Sequence, residues 1–156
     1  MPETQYSLRG KLDDPRFVAA CETALGVAPP SAPNTVSSSI FWLGPDEWLV
    51  VGRDAAAISR LREALRGIHS ALVDVSSSRV VLELSGPHAE ETLCKAATLD
   101  FHLRSFPVGS CAQTNLARTQ GLIYRRAETE FQIFIRPSFA RYLEGWLRDA
   151  MASQSA

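Results

Sequence analysis

The chain has 156 residues, 46% of them hydrophobic and 21% charged, with a formal net charge of −1. Ordinary apolar content at near-zero charge excludes a largely disordered chain, and this length suits a single domain over 1–156 that buries about 68–70% of its unfolded surface. No run approaches the roughly 18 apolar residues of a membrane span, and a near-neutral chain is a poor candidate for nucleic acid, whose phosphates call for clustered positive charge.

The opening residues, MPETQYSLRG, carry a glutamate and no apolar stretch, so no cleaved leader is expected. Cys21, Cys94 and Cys111 lie far apart with no C-x-x-C pair. That pattern points to reduced thiols in a cytoplasm, and away from a disulfide framework or a zinc site. Of the 16 basic residues, 14 are arginine. GC-rich coding explains such a bias, and so does a surface that meets other proteins, where arginine's flat fork of donors is enriched.

In chain order, residues 1–12 lack periodicity and read as a loose arm. Asp13-Asp14-Pro15 opens a helix in which Phe17, Val18, Cys21 and Leu25 recur before Gly26 stops it. Residues 27–39, VAPPSAPNTVSSS, are Pro/Ser-rich and read as a loop or mobile connector. The core then runs over 40–150. Strands are expected at 39–43 and 47–52, joined by a turn at Gly44-Pro45-Asp46. Asp54 caps a helix to about Arg66, with Ile58, Leu61 and Leu65 on one side. A second strand pair, 71–75 and 79–85, precedes a helix from Gly86-Pro87 to about Ala97. Strands at 110–118, 122–126 and 130–136 lead to a last helix in which Phe139, Tyr142, Leu143, Trp146, Leu147 and Ala150 recur at helical spacing. The fold class is α+β: a mainly antiparallel sheet with helices packed on it, built from repeated strand–strand–helix units.

Candidate chemistry is sparse. His69, His88 and His102 have no second ligand at helical spacing, and there is no nucleophile elbow, phosphate loop or dinucleotide fingerprint. Asp13/Asp14 and Glu90/Glu91 fall in opening turns of helices, where negative charge complements the dipole, and Asp46/Glu47 falls in a tight turn. One face of 110–118 shows Cys111, Gln113 and Asn115, either a small-molecule cleft or an edge face touching water. No catalytic, cofactor-binding or metal-binding residue is assigned on this chain.

Three stretches carry a resemblance. VDVSSSRVVLELSGPHAEETLCKAATLDF, residues 73–101, and PVGSCAQTNLARTQGLIYRRAETEFQIFIRPSFARYLEGWL, residues 107–147, resemble tetrahydrofolate-dependent aminomethyltransferases. With LGPDEWLVVG at 43–52 they more closely resemble the gamma subunit family of heterotetrameric sarcosine oxidase, over roughly residues 40–148. Active aminomethyltransferases carry an acid after a G-G-hydrophobic-hydrophobic turn; here the matching stretch is Gln120 to Arg125, so Tyr124 and Arg125 stand where the acid is expected. A guanidinium stays protonated and cannot do a carboxylate's work. The resemblance therefore implies a non-catalytic subunit with a structural, assembly role. It would sit in a cytoplasmic complex that oxidatively demethylates sarcosine to glycine and passes the one-carbon unit to tetrahydrofolate. The complex would hold FAD, FMN and NAD, and the partners would be larger alpha and beta flavoprotein subunits and a small delta subunit. Trp42, Trp48, Arg79, Arg125 and Arg126 are the candidate partner-interface anchors, because Trp and Arg dominate interface hot spots. The alternative reading is a stand-alone folate-binding or tetrahydrofolate-dependent aminomethyltransferase-like protein; a regulatory domain for a small amine is a third.

Overall fold

The computed structural model describes residues 3–154. Where the length suggested one domain, the chain folds as two compact units, one ending at Ser76 and the other starting at Ser77. Each has its own antiparallel sheet and its own core, so the α+β class holds.

The first unit contains β1 (Gln5–Arg9), α1 (Pro15–Leu25), β2 (Val36–Ser37), β3 (Ile40–Gly44), β4 (Glu47–Val51), α2 (Ala55–Ala64) and β5 (Ala71–Asp74). Its strand order is β2-β3-β4-β1-β5. The reading of 1–12 as a loose arm is corrected over its described part. Residues 5–9 form an interior strand between β4 and β5, with Leu8 fully buried. Five residues with only Tyr6 and Leu8 apolar are too short to show a period, and pairing on both sides makes the strand.

Local chemistry sets the two helices. The Asp14 carboxylate accepts from the Arg16 N–H at 3.0 Å, and Gly26, at φ 80°, closes α1 in the left-handed conformation that glycine adopts without strain. Asp54 accepts from the Ala57 N–H at 2.6 Å to start α2. Phe17, Cys21 and Leu25 of α1 pack with Leu61 of α2 against Leu8, Ile40, Trp48 and Val50 of the sheet. Gly10 closes over this core: a Cβ there would lie 2.1 Å from the Phe17 ring. The 27–39 segment is a loop that contains the short strand β2, and the Trp48 indole N–H donates to the Pro30 carbonyl at 2.9 Å.

The second unit contains β6 (Val80–Ser85), α3 (Ala89–Ala96), β7 (Cys111–Leu116), β8 (Thr119–Ala127), β9 (Glu130–Ile135) and α4 (Pro137–Ala152), with strand order β6-β9-β8-β7. Segments 71–75 and 79–85, read as a pair, are split between the two sheets, so that step of the strand–strand–helix repetition is absent. The apolar face of β6 explains why. Val80, Leu82 and Leu84 lie opposite Ile135, Ile133 and Phe131 of β9, an inner-face match that the mostly exposed residues of β5 could not supply. Leu93 of α3 and Leu143 and Leu147 of α4 cover this face.

Candidate interaction surface

Alternation along β8 places neighbouring Arg125 and Arg126 on opposite faces. Arg125 follows Ile123 onto the inner face and is fully buried. One terminal nitrogen donates to the carbonyls of Phe101 and Phe106 at 2.8 and 2.6 Å; the other pairs with Glu90 at 2.6 Å. The guanidinium lies 4.7 Å from the centre of the Phe131 ring, which meets Phe101 edge-on, as Phe101 meets Phe106. A buried cation thus holds the α3–β7 loop closed around itself, its charge compensated by one carboxylate and one ring face.

Arg126 is half-exposed and pairs with Glu130 at 2.9 Å and Glu83 at 3.6 Å; hydrogen bonding to Glu130 holds its proton more tightly than usual. Trp42 is half-buried on β3, in register with the fully buried Trp48 of β4. Arg79 is half-buried beside the start of β6. The five anchors read from the sequence differ in exposure. Trp48 and Arg125 have no exposed side-chain surface, and Trp42, Arg79 and Arg126 are the three that reach solvent.

Gln113 and Asn115, the polar residues of β7, line an open depression of about 430 Å³ with Arg79, Gln120 and Arg136. Cys111 of the same strand face is buried. A second depression of about 470 Å³ shares Asn115, Gln120 and Arg136 and adds Arg118, Thr119 and Phe139. Arg118 and Arg136 had no motif to mark them in the sequence; they fall in a hairpin tip and at the start of α4.

The groups most able to do chemistry are dispersed. His69, His88 and His102 are all exposed, and among the described residues no three His, Cys, Asp or Glu side chains gather to hold a metal. Burial pushes the Cys21 thiol up to about 12, away from nucleophilic use at neutral pH. Cys94, read as an element-interior residue, is exposed on α3. Tyr124, where the aminomethyltransferase pattern expects an acid, is half-buried and its phenol is pushed up by burial. No helix among the described residues is long and apolar enough to cross a membrane.

A family model described as "Sarcosine oxidase, gamma subunit family" matches residues 9–153. The chain is 36% identical over 144 residues to sarcosine oxidase subunit gamma of Corynebacterium sp. (strain U-96), covering 88% of this chain and 70% of that one. It is 35% identical over 139 residues to the same subunit of Arthrobacter sp., covering 85% and 68%. Among solved structures it matches a chain of the heterotetrameric sarcosine oxidase from Corynebacterium sp. U-96 in complex with pyrrole 2-carboxylate, at a TM-score of 0.92 and 35% identity, over 99% of this chain and 82% of that chain. The glycine cleavage system aminomethyltransferase T from Bartonella henselae matches at a TM-score of 0.66 and 19% identity, over 93% of this chain and 43% of that chain, a likeness of fold alone. The chain belongs to the sarcosine oxidase gamma subunit family.

Proposed function

We propose that this chain is the gamma subunit of a heterotetrameric sarcosine oxidase and contributes shape to the assembly, while the reacting groups belong to its partners. The observation that carries this reading is the correspondence to a chain of such a complex over 99% of the residues. The partners are larger alpha and beta flavoprotein subunits and a small delta subunit, working in the cytoplasm. The complex demethylates sarcosine to glycine on FAD, carries FMN and NAD, and delivers the one-carbon unit to tetrahydrofolate.

The residues at the position of the aminomethyltransferase acid support the structural role. Arg125 is spent on Glu90, two carbonyls and a ring, and Tyr124 is a phenol with a raised pKa. Neither is a carboxylate able to meet a folate amine. A stand-alone folate enzyme is not favoured, because the family match spans 9–153 without supplying that acid. The physical contribution is linkage: a partner that binds only the folded state stabilises it by mass action.

The test is isolation of the tagged chain from native extract. Larger flavin-bearing subunits should co-purify, and sarcosine turnover should follow the complex and be absent from the separated chain. Turnover of sarcosine by the separated chain, or a chain that remains monomeric and partnerless in that extract, refutes the reading.

A further inference from the structure

We infer that the surface this chain offers to the larger subunits is the arginine-lined cleft at the β7–β8 hairpin and the start of α4, and that it takes an acidic segment of one of them. The inference rests on the subunit reading above and adds where contact is made and with what chemistry.

The two depressions adjoin through Asn115, Gln120 and Arg136, so together they form one groove running from Arg79 past Arg136 to Arg118 and Phe139. Three guanidinium groups line it, and among the described residues no carboxylate does. Elsewhere on this unit Arg126 meets Glu83 and Glu130, Arg148 meets Glu144 and Lys95 meets Glu91, while Arg104 and Arg141 are exposed without an ion pair among the described residues but line neither depression. Arg118 and Arg136 form no ion pair among the described residues, and the first turn of α4 carries no acidic side chain. Arg118 and Arg136 can therefore take an incoming carboxylate through bidentate, charge-assisted hydrogen bonds.

The groove is also held in place. Ala117, beside Arg118 at the hairpin tip, donates its N–H to the Ala96 carbonyl at 2.7 Å, tying the tip to the end of α3. At φ 51°, Ala117 adopts a conformation that costs an L-residue energy and persists only where its surroundings enforce it. Beside the groove, Phe139 and Tyr142 stand three residues apart on α4, 39% and 40% exposed. Exposed aromatic rings next to Arg118 and Arg136 have the composition of a protein-interface centre. A small anion has no use for the rings and cannot span the groove; an acidic polypeptide segment can engage both.

The full chain should be co-expressed with its larger subunits as wild type, as R118E/R136E, and as R60E on the exposed side of α2. The reversal should weaken assembly at least about tenfold, whereas R60E assembles as wild type does. Wild-type affinity should fall between about 50 and about 200 mM salt, and the reversal should flatten that dependence. Unchanged thermal midpoints of the isolated variants establish folding, and R118Q/R136Q, with an intermediate loss, replaces the reversal if it fails to fold. Equal assembly of wild type and both double variants at every salt concentration overturns the groove assignment and leaves the subunit reading standing. So does inorganic phosphate binding that R118Q/R136Q abolishes while assembly is untouched. A wild-type chain that assembles with nothing overturns both.

Discussion

Arg125 shows how much one side chain can organise. Its donors close the loop between α3 and β7, and among the described residues its one carboxylate partner is Glu90, 35 positions earlier and 38% exposed. Removing Glu90 leaves the cation buried with carbonyls and a ring for company. Glu90→Ala should therefore cost about 3 kcal/mol, and Glu90→Gln, which keeps a hydrogen-bond acceptor, about 1 kcal/mol, read from urea unfolding midpoints. The sequence reading placed Arg125 at a partner interface, although alternation along the strand puts it on the same inward face as Ile123, a signal that its charge must be compensated inside. The partner was not legible, because Glu90 sits where any helix-opening acid would sit and nothing local ties it to residue 125. The cysteines give a second test at this scale. Cys94 should be alkylated by iodoacetamide in the folded chain at pH 8, while Cys21, whose thiol is pushed up to about 12, is protected until unfolding; peptide mass mapping reads both.

Among the elements, those with local signals were read to within a few residues. Asp54 and Gly26 mark helix ends by capping chemistry, and α4 shows a long apolar stripe, though it buries only Leu143 and Leu147 fully while Phe139 and Tyr142 stay exposed. The elements missed are those that tertiary context makes. β1 is strand only because β4 and β5 flank it, and β2 is joined to β3 by a two-residue turn without the usual Asn-Gly. Ser37 faces Ile40 across that turn, and Ser38 and Ser39 both hold positive φ, 45° and 63°. Turns of this kind suit Asn and Gly, which occupy the left-handed region at lower cost. Ser38→Asn with Ser39→Gly should stabilise the chain by about 1 kcal/mol, measurable by chemical denaturation.

At the scale of the molecule, acid should be the weak direction. Hydrogen bonding from the Arg16 side chain holds the Asp14 carboxyl below its ordinary 3.8; the Ser76 hydroxyl does the same for Asp74 and the Ser105 hydroxyl for Asp100. A folded-state pKa below the unfolded one gives stability that is fully present above the unfolded value and is lost as pH falls through the folded value. The urea midpoint should thus be level from about pH 7 to 5 and decline below about pH 4, and Asp74→Asn with Asp100→Asn should shallow that decline. Asp14 and Asp74 lie in the first unit and Asp100 in the second, so the effect is not confined to either.

The interior position of β1 has a consequence for synthesis. Its neighbours β4 and β5 emerge from the ribosome long after it, the last at Asp74. Until then the growing polypeptide carries a strand with both flanks open, a ready template for mispairing. The second unit starts at Ser77 and closes its sheet without borrowing from what came before, so translation pauses placed once Asp74 has cleared the ribosome should raise soluble yield more than pauses placed before that point.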